Sequence, residues 1–410
     1  MANKVINGFF VIVFGVALFA GGYWFGQSPL APVYLFYPQT NAPEEVEEIF
    51  APFWETWQLV HTRFYDLPVD DVALAEGAIN GMLEVLDDPY TRYLPPADEQ
   101  AARDQMAGEI QGIGVLVEFV DGDITIVSPF EGSPAEAAGL KAGDILRSAD
   151  GVDLTGMDLT DAAALVRGPA GTTVNLVVER DGETFSVDVV RDVISIPSVR
   201  GEIMEGDIAY VRLSRFGDQS AAEMTEVMQP LLAEIPAGLI LDLRGNPGGG
   251  LTTAVDVADL FLEEGTILVQ RFGNGDERVF ESEEGGLAVN IPMVVLVDEG
   301  SASASEVLAG AIQDRGRGIL IGQTTFGKGT VQTWQALSND GGVRITNARW
   351  LTPDGNWVNE EGLVPDIEVT LPEVTEDTDP DTLTDTQLEA AIEFLRTGVV
   401  STSVSGDAND

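Results

Sequence analysis

Apolar positions along this chain change their repeat several times, and the changes divide it. From Val5 to Phe25 the run VINGFFVIVFGVALFAGGYWF carries no charge, and it is long enough to cross a bilayer core of about 30 Å as a helix. Gln27 to Pro43 keeps no helical repeat and contains Pro29, Pro32, Pro38 and Pro43, which predicts an extended spacer. From Glu44 to Met106 the pattern is helical, with Ile49, Phe53, Trp57, Val60 and Phe64 recurring at three or four. LDDPYTRYLPP, Leu86 to Pro96, breaks it with a turn. Gly108 to Val193 alternates strand-like stretches with glycine turns and two short helices, one of them Leu159 to Val166. From Ile194 onward strands and helices alternate, which predicts an α/β core. Beyond Leu371 the acidic TEDTDPDTLTD reads as a linker, Gln387 to Leu395 as a short amphipathic helix, and the end from Ser401 as disordered.

One stretch of the core concentrates the chemistry. The β-branched run Met293 to Val297 stops at Asp298-Glu299-Gly300, and a helical pattern with Val307, Leu308, Ala311 and Ile312 on one side follows at once. Ser301, Ser303 and Ser305 sit at the turn between them. A hydroxyl there lies beside unpaired helix N-terminal amides, which favour negative charge developing nearby. Ser303-Ala304-Ser305-Glu306 is also a capping box, and most serines in that motif only cap a helix.

Lys328 stands between Gly327 and Gly329, and strand alternation through Thr330 and Gln332 puts these three side chains on one face. A lysine drawn inward there loses proton affinity by burial, so its neutral amine can take a proton from a serine, with Gln332 holding it in place. Composition favours lysine as the base: the chain has no cysteine and a single histidine, His61, whose spacing from Trp57 and Tyr65 is that of a helix packing face. Upstream, Gly238 to Leu251, GLILDLRGNPGGGL, runs from a buried-type strand into a glycine loop and then a helix from Thr252 to Leu262. No Gly-Lys-Ser/Thr closes it as a P-loop; its glycines let backbone amides approach a substrate, as an oxyanion hole requires.

GSASASEVLAG followed by FGKGTVQ resembles the C-terminal processing peptidases, or tail-specific proteases, which use a serine-lysine dyad assisted by a glutamine. The resemblance makes Ser303 the nucleophile, Lys328 the base and Gln332 its partner. It implies an oxyanion hole of Ala304 with Gly248 or Gly249. GIGVLVEF, EGSPAEAAGLKAGDIL and LTDAAALVRGPAGTTVNLVVERDG resemble a PDZ domain over almost its whole length. Its Gly112-Ile113-Gly114-Val115 loop can turn amides toward a peptide's terminal carboxylate, and the strand after it can add the peptide as an extra strand. Leu165 on the helix Leu159 to Val166 is expected to select an apolar last residue, and Arg167 caps that helix or pairs with a carboxylate. Leu86 to Pro96 is similar to the segment preceding the PDZ domain in that family. Asn347 to Thr370 is similar to its closing segment, with Asn356 and Trp357 where the family often has a basic residue.

The fold implied is α/β: a ClpP/crotonase-like protease core with an inserted β-rich PDZ domain, an N-terminal helical region and one transmembrane helix. The boundaries are 1–26 for the anchor, 27–43 for the spacer, 44–106 for the helical region, 107–193 for the PDZ domain, 194–372 for the protease core and 373–410 for linker, helix and tail.

Charge adds two conclusions. With 21 basic against 68 acidic residues the net charge is -47, which repels nucleic acid and sets that function class aside. Lys4 and the terminal amine are the only cations near the apolar run, the next being Arg63, so the N-terminus is expected inside and the catalytic part outside the membrane. Leu18-Phe19-Ala20 is a poor cleavage site, which favours an uncleaved anchor, and without cysteine there is neither a lipoprotein anchor nor a disulfide. The expected partners are polypeptides with exposed C-termini and the lipid bilayer, with a homo-oligomer left open. Neither cofactor nor metal is expected, because no His/Asp/Glu cluster has ligand spacing. A PDZ scaffold with an inactive protease domain is the alternative of a different class.

Overall fold

The computed structural model describes residues 46–372, apart from 121 and 131, together with 384–400. The expected membrane span, the spacer, nearly all of the acidic linker and the tail lie outside these residues. Among the described residues no helix is long and apolar enough to cross a membrane.

The chain divides into one unit ending at Gly77 and a second running from Ala78 onward. In the first, helix α1 (Glu47–Arg63) carries the predicted aromatic repeat. Trp57 stacks on His61 at 5.0 Å, and the imidazole bridges Trp57 O at 2.8 Å and Asp71 Oδ1 at 2.5 Å. Both partners are acceptors, so they favour the imidazolium and raise the His61 pKa, the backbone contact first. His61 is a helix packing residue, as its spacing predicted. Helix α2 (Asp71–Glu84) follows.

In the second unit the segment expected to be helical up to Met106 also holds a short strand, β1 (Arg92–Leu94), before helix α3 (Pro96–Ala107). Three residues are too few for alternation to register, and β1 is defined by its partner strand instead.

The β-rich insertion opens with β2 (Glu109–Gly112) and closes with β9 (Asp192–Ser195), which pair antiparallel from Glu109↔Ser195 to Gly112↔Asp192. Between them lie β3 (Val115–Val120), β4 (Asp123–Pro129), helix α4 (Pro134–Ala137), β5 (Ile145–Ala149), β6 (Val152–Asp153), helix α5 (Leu159–Val166), β7 (Thr173–Arg180) and β8 (Glu183–Val190). Ile124, Ile126, Leu154, Val174, Leu176 and Val178 alternate inward and form its own core, essentially sealed from solvent.

The α/β core begins with β10 (Val199–Met204) and β11 (Ile208–Leu213), then helix α6 (Ser220–Ala233), β12 (Gly238–Asp242), helix α7 (Leu251–Asp259), β13 (Gly265–Phe272), β14 (Glu277–Ser282), β15 (Met293–Val297) and helix α8 (Ala304–Asp314). β16 (Ile319–Gly322), β17 (Thr330–Ala336), β18 (Gly342–Leu351), β19 (Ile367–Glu368) and helix α9 (Thr386–Thr397) complete it. The main sheet runs β10-β11-β12-β15-β16-β19, parallel except for the β10/β11 pair. β12 and β15 are buried at every position, as strands covered on both faces must be. Leu239, Leu241, Val295 and Val297 face the core shared with α6, α7 and α8, while Ile240, Val294 and Leu296 face α9. A second sheet runs β1-β18-β13-β14, with β17 also paired to β18.

Candidate active site

Three loops leave the carboxyl ends of the adjacent parallel strands β12, β15 and β16, the edge at which open α/β sheets hold ligands. They are the glycine loop after Asp242, the serine turn after Val297 and the lysine turn after Gly322. Hydrogen bonds lock them together. Asp298 Oδ1 accepts the Gly245 N–H at 2.8 Å, and Ser301 Oγ donates to Leu243 O at 2.9 Å. Asn246, fully buried, donates from Nδ2 to Leu213 O at 2.8 Å and accepts at its carbonyl from Ala302 N at 3.0 Å and Ser305 Oγ at 2.9 Å. Phe326 N donates to Ser301 O at 3.0 Å.

These bonds separate the three turn serines. Ser301 and Ser305 are sealed from solvent with their hydroxyls spent on backbone carbonyls. Ser303 is partly exposed, and its Oγ enters only the capping box, as an acceptor from the Glu306 backbone, so among the described residues its proton is given to no acceptor. Its backbone has φ 55 and ψ -111, a conformation that costs a non-glycine residue about 1–3 kcal/mol and is held only where the surroundings impose it.

What imposes it is Glu306, the fourth residue of the capping box. Its carboxylate is completely buried, and each oxygen takes two donors. Oε1 accepts from Thr325 Oγ1 and Gly327 N, both at 2.6 Å; Oε2 accepts from Ser303 N at 2.7 Å and Lys328 N at 2.9 Å. One carboxylate therefore fixes the backbone of the serine turn to that of the lysine turn. The motif was visible in the sequence, but as a helix cap; three of its four donors are nineteen or more positions away in the chain.

Ser303, Lys328 and Gln332 line one cavity of about 120 Å³, together with Gly249, Ala304 and Arg344. The face shared by Thr330 and Gln332 is as predicted: Gln332 Nε2 donates to Thr330 Oγ1 at 2.9 Å and, across the sheet, to Thr346 Oγ1 at 3.1 Å. The expected contact between Gln332 and the lysine amine is not formed: the Gln332 amide nitrogen is spent on the two threonine hydroxyls, and among the described residues no hydrogen bond joins its oxygen to Lys328. The amine of Lys328 instead sits 4.8 Å from the centroid of the Tyr90 ring. Burial first, and then Arg344 and Arg92, lower its pKa to about 8 against the opposing pull of Glu306 and Asp88. Trp350 Nε1 donates to Lys328 O and Trp357 Nε1 to Gly329 O, both at 2.8 Å, so the closing segment clamps the lysine turn. Trp357, the departure from the family pattern, carries Arg349 over its ring at 4.1 Å.

The two glycines expected near the oxyanion differ. The Gly248 N–H is committed to Asn246 Oδ1 at 2.9 Å, which removes it as a free donor. Gly248 has φ 96, and a Cβ there would stand 2.6 Å from Ala302 O, so the loop touches the serine turn only because the residue is glycine. Gly249 is exposed in the cavity and its N–H enters no backbone hydrogen bond among the described residues. Ala304 N begins α8 and is one of the amides a helix leaves unpaired.

In the insertion, Gly112, Ile113, Gly114 and Val115 line a cavity of about 330 Å³ with Leu159 and Arg167. Ala162, Ala163 and Val166 complete the wall that α5 presents. Leu165 is not part of it and packs on the insertion's core instead. The helical repeat explains the correction: positions 159, 162, 163 and 166 share a stripe, and 165 falls beside it. Among the described residues no group of His, Asp and Glu is arranged to hold a metal ion.

The family model for peptidase family S41 matches residues 207–369, that for a PDZ domain 125–180, and that for the activating protease CtpB N-terminal domain 13–97. The carboxy-terminal processing protease CtpA of Bacillus subtilis is 37% identical over 321 residues, 78% of this chain and 68% of the relative. A carboxy-terminal-processing protease of Bartonella bacilliformis is 38% identical over 340 residues, 81% of this chain and 78% of its own. A crystal structure of a putative S41 protease from Bacteroides fragilis shares the fold, with TM-score 0.53 at 15% identity, covering 89% of this chain and 100% of that one.

Proposed function

Because the chain belongs to peptidase family S41, as a carboxy-terminal processing serine protease with a PDZ domain, we propose that Ser303 is its nucleophile and Lys328 its general base. The observation that carries this is the cavity itself: it holds the one turn serine whose hydroxyl proton is not given to a backbone carbonyl and an amine whose pKa is lowered to about 8. In the proposed mechanism neutral Lys328 leaves the Tyr90 ring and takes the Ser303 proton. The serine oxygen then attacks the scissile carbonyl, and the protonated lysine returns the proton to the leaving amine. Gly249 N–H and Ala304 N–H stabilise the oxyanion, and water activated by the same lysine releases the acyl-enzyme. Gln332 serves by holding Thr330 and Thr346 in register beside the amine.

The PDZ cavity takes an apolar chain end, with the Gly112 to Val115 backbone at its carboxylate and Leu159, Ala163 and Val166 around its last side chain. The apolar run from Val5 to Phe25 anchors the protein in the cell membrane with the catalytic part outside. A binding scaffold with an inert protease domain is not favoured, since the family matches are to processing proteases and every proposed catalytic group lines one cavity.

The test follows cleavage of an unstructured polypeptide ending in apolar residues, as free carboxylate or amide, by the full chain and by Ser303→Ala and Lys328→Ala. Both variants are expected to bind the free-carboxylate chain and not to cleave it, with wild type cutting it faster than the amide. Unchanged turnover in Lys328→Ala would sink the dyad.

A further inference from the structure

The catalytic cavity has a second chemical feature that this mechanism does not use. Arg344 on β18 stands opposite Arg92 on β1 and opposite Trp334 on β17. Residues directly opposite in a sheet share a face, so Trp334, Arg344 and Arg92 form a row beside the row of Gln332 and Thr346. Arg344 lines the cavity with Ser303 and Lys328, its guanidinium 4.9 Å from the Trp334 ring centroid. Its Nε–H is buried and has no hydrogen-bond partner among the described residues. The carboxylate that influences it is Glu99, whose Oε1 is engaged by Arg103 at 2.7 Å and whose buried Oε2 has no partner among the described residues, yet forms no hydrogen bond with Arg344.

Like charges directly opposite each other weaken a sheet, and a buried donor without an acceptor costs more. A chain with 68 acidic and 21 basic residues has no shortage of carboxylates to place here, yet none forms an ion pair with Arg344 or Arg92 among the described residues. The arrangement is complete once a carboxylate enters the cavity. Stacked on Trp334, the planar guanidinium is held ready for bidentate contact in a way a lysine would not be.

We propose that Arg344, backed by Arg92, is a specificity-determining residue that binds a carboxylate of the substrate chain next to the scissile bond. This rests on the reading of the cavity as the site of peptide cleavage. The carboxylate has two sources: an Asp or Glu side chain flanking the cut, or the chain's own terminus when the cut falls close to it.

The experiment measures kcat/KM of the full chain on peptide pairs carrying Glu or Gln at each position around the cut, as free acids and as amides. One position is expected to favour Glu by about ten- to hundredfold, the range of a charged hydrogen bond. Arg344→Gln should bring that ratio near one, and Arg344→Glu should turn it toward a Lys-containing peptide. A preference that follows the free terminus and not the side chain assigns the site to the chain end. Ratios are compared within one variant, so a general loss of activity cancels. If Arg344→Gln does not fold, calorimetry with the same pairs on Ser303→Ala and Ser303→Ala/Arg344→Lys decides, the ratio falling in the double variant. Equal rates for every pair in wild type, or a preference that survives loss of Arg344, overturn the proposal. Binding selective for the carboxylate in a protein that cleaves nothing would keep this subsite and overturn the protease reading; cleavage without any preference would do the reverse.

Discussion

Lys328 is the residue on which pH acts. Its neutral form is the proposed base, so kcat/KM should rise with pH and reach half its limit near 8, where burial puts the pKa. The sign for stability is the same. The folded state gives up this proton at about 8 and the unfolded state only near 10.5, so the group's contribution to stability grows as pH rises between them. Tyr90 shapes the position of that limb. A cation over an aromatic ring gains about 0.5–2 kcal/mol, which favours the charged amine, so Tyr90→Leu should move the limb to lower pH by about half a unit or more. A pH profile that stays fixed or moves up would show that the ring does not hold the ammonium. Glu306 governs geometry. Glu306→Gln keeps the shape but turns an amide NH2 toward two of the four donors, an expected loss of about 2–4 kcal/mol in denaturant unfolding together with a fall in kcat at nearly constant KM. Ser303 was legible because strand, turn and helix are contiguous there; Tyr90, Asn246 and Arg344 were not, because their partners lie far off in the chain and no local repeat marks them.

At the scale of elements the sequence spoke most clearly where one pattern runs unbroken. Met293–Val297 and Leu159–Val166 have the ends their patterns predicted, because a turn or a cap closes each. Helix α7 begins one residue before its predicted start and ends earlier, at Asp259, since the glycine loop supplies the N-cap at Gly250. β1 was missed, and the side of α5 that lines the peptide cavity was misjudged by one position. That stripe gives a prediction: Ala163→Trp fills the cavity, so affinity for an apolar free-carboxylate peptide should drop by tenfold or more in a fluorescence titration, and the advantage of free over amidated substrates should vanish. Affinity left intact would move peptide recognition elsewhere.

Across the whole molecule, α/β class and the inserted β-rich domain could be read from alternating patterns, whereas the stacking of helices on both sheet faces and the joining of β1, β17 and β18 into a second sheet could not. Register between distant strands is set by packing that composition does not encode. The pairing of β2 with β9 carries a consequence for chain topology. Glu109 and Ser195 lie side by side, so to the remaining polypeptide the whole insertion is one long hairpin loop. Loop-closure entropy grows only with the logarithm of length, by about 0.6 kcal/mol per doubling. A version in which a short glycine-serine turn joins Ile110 to Ile194 should therefore still fold, with a cooperative thermal transition and a Ser303 that accepts an active-site acylating probe. The excised insertion, with its separate core, should fold by itself. The protein is then two exchangeable cassettes, and other recognition modules whose ends meet at the spacing of paired strands can be spliced into the same seam.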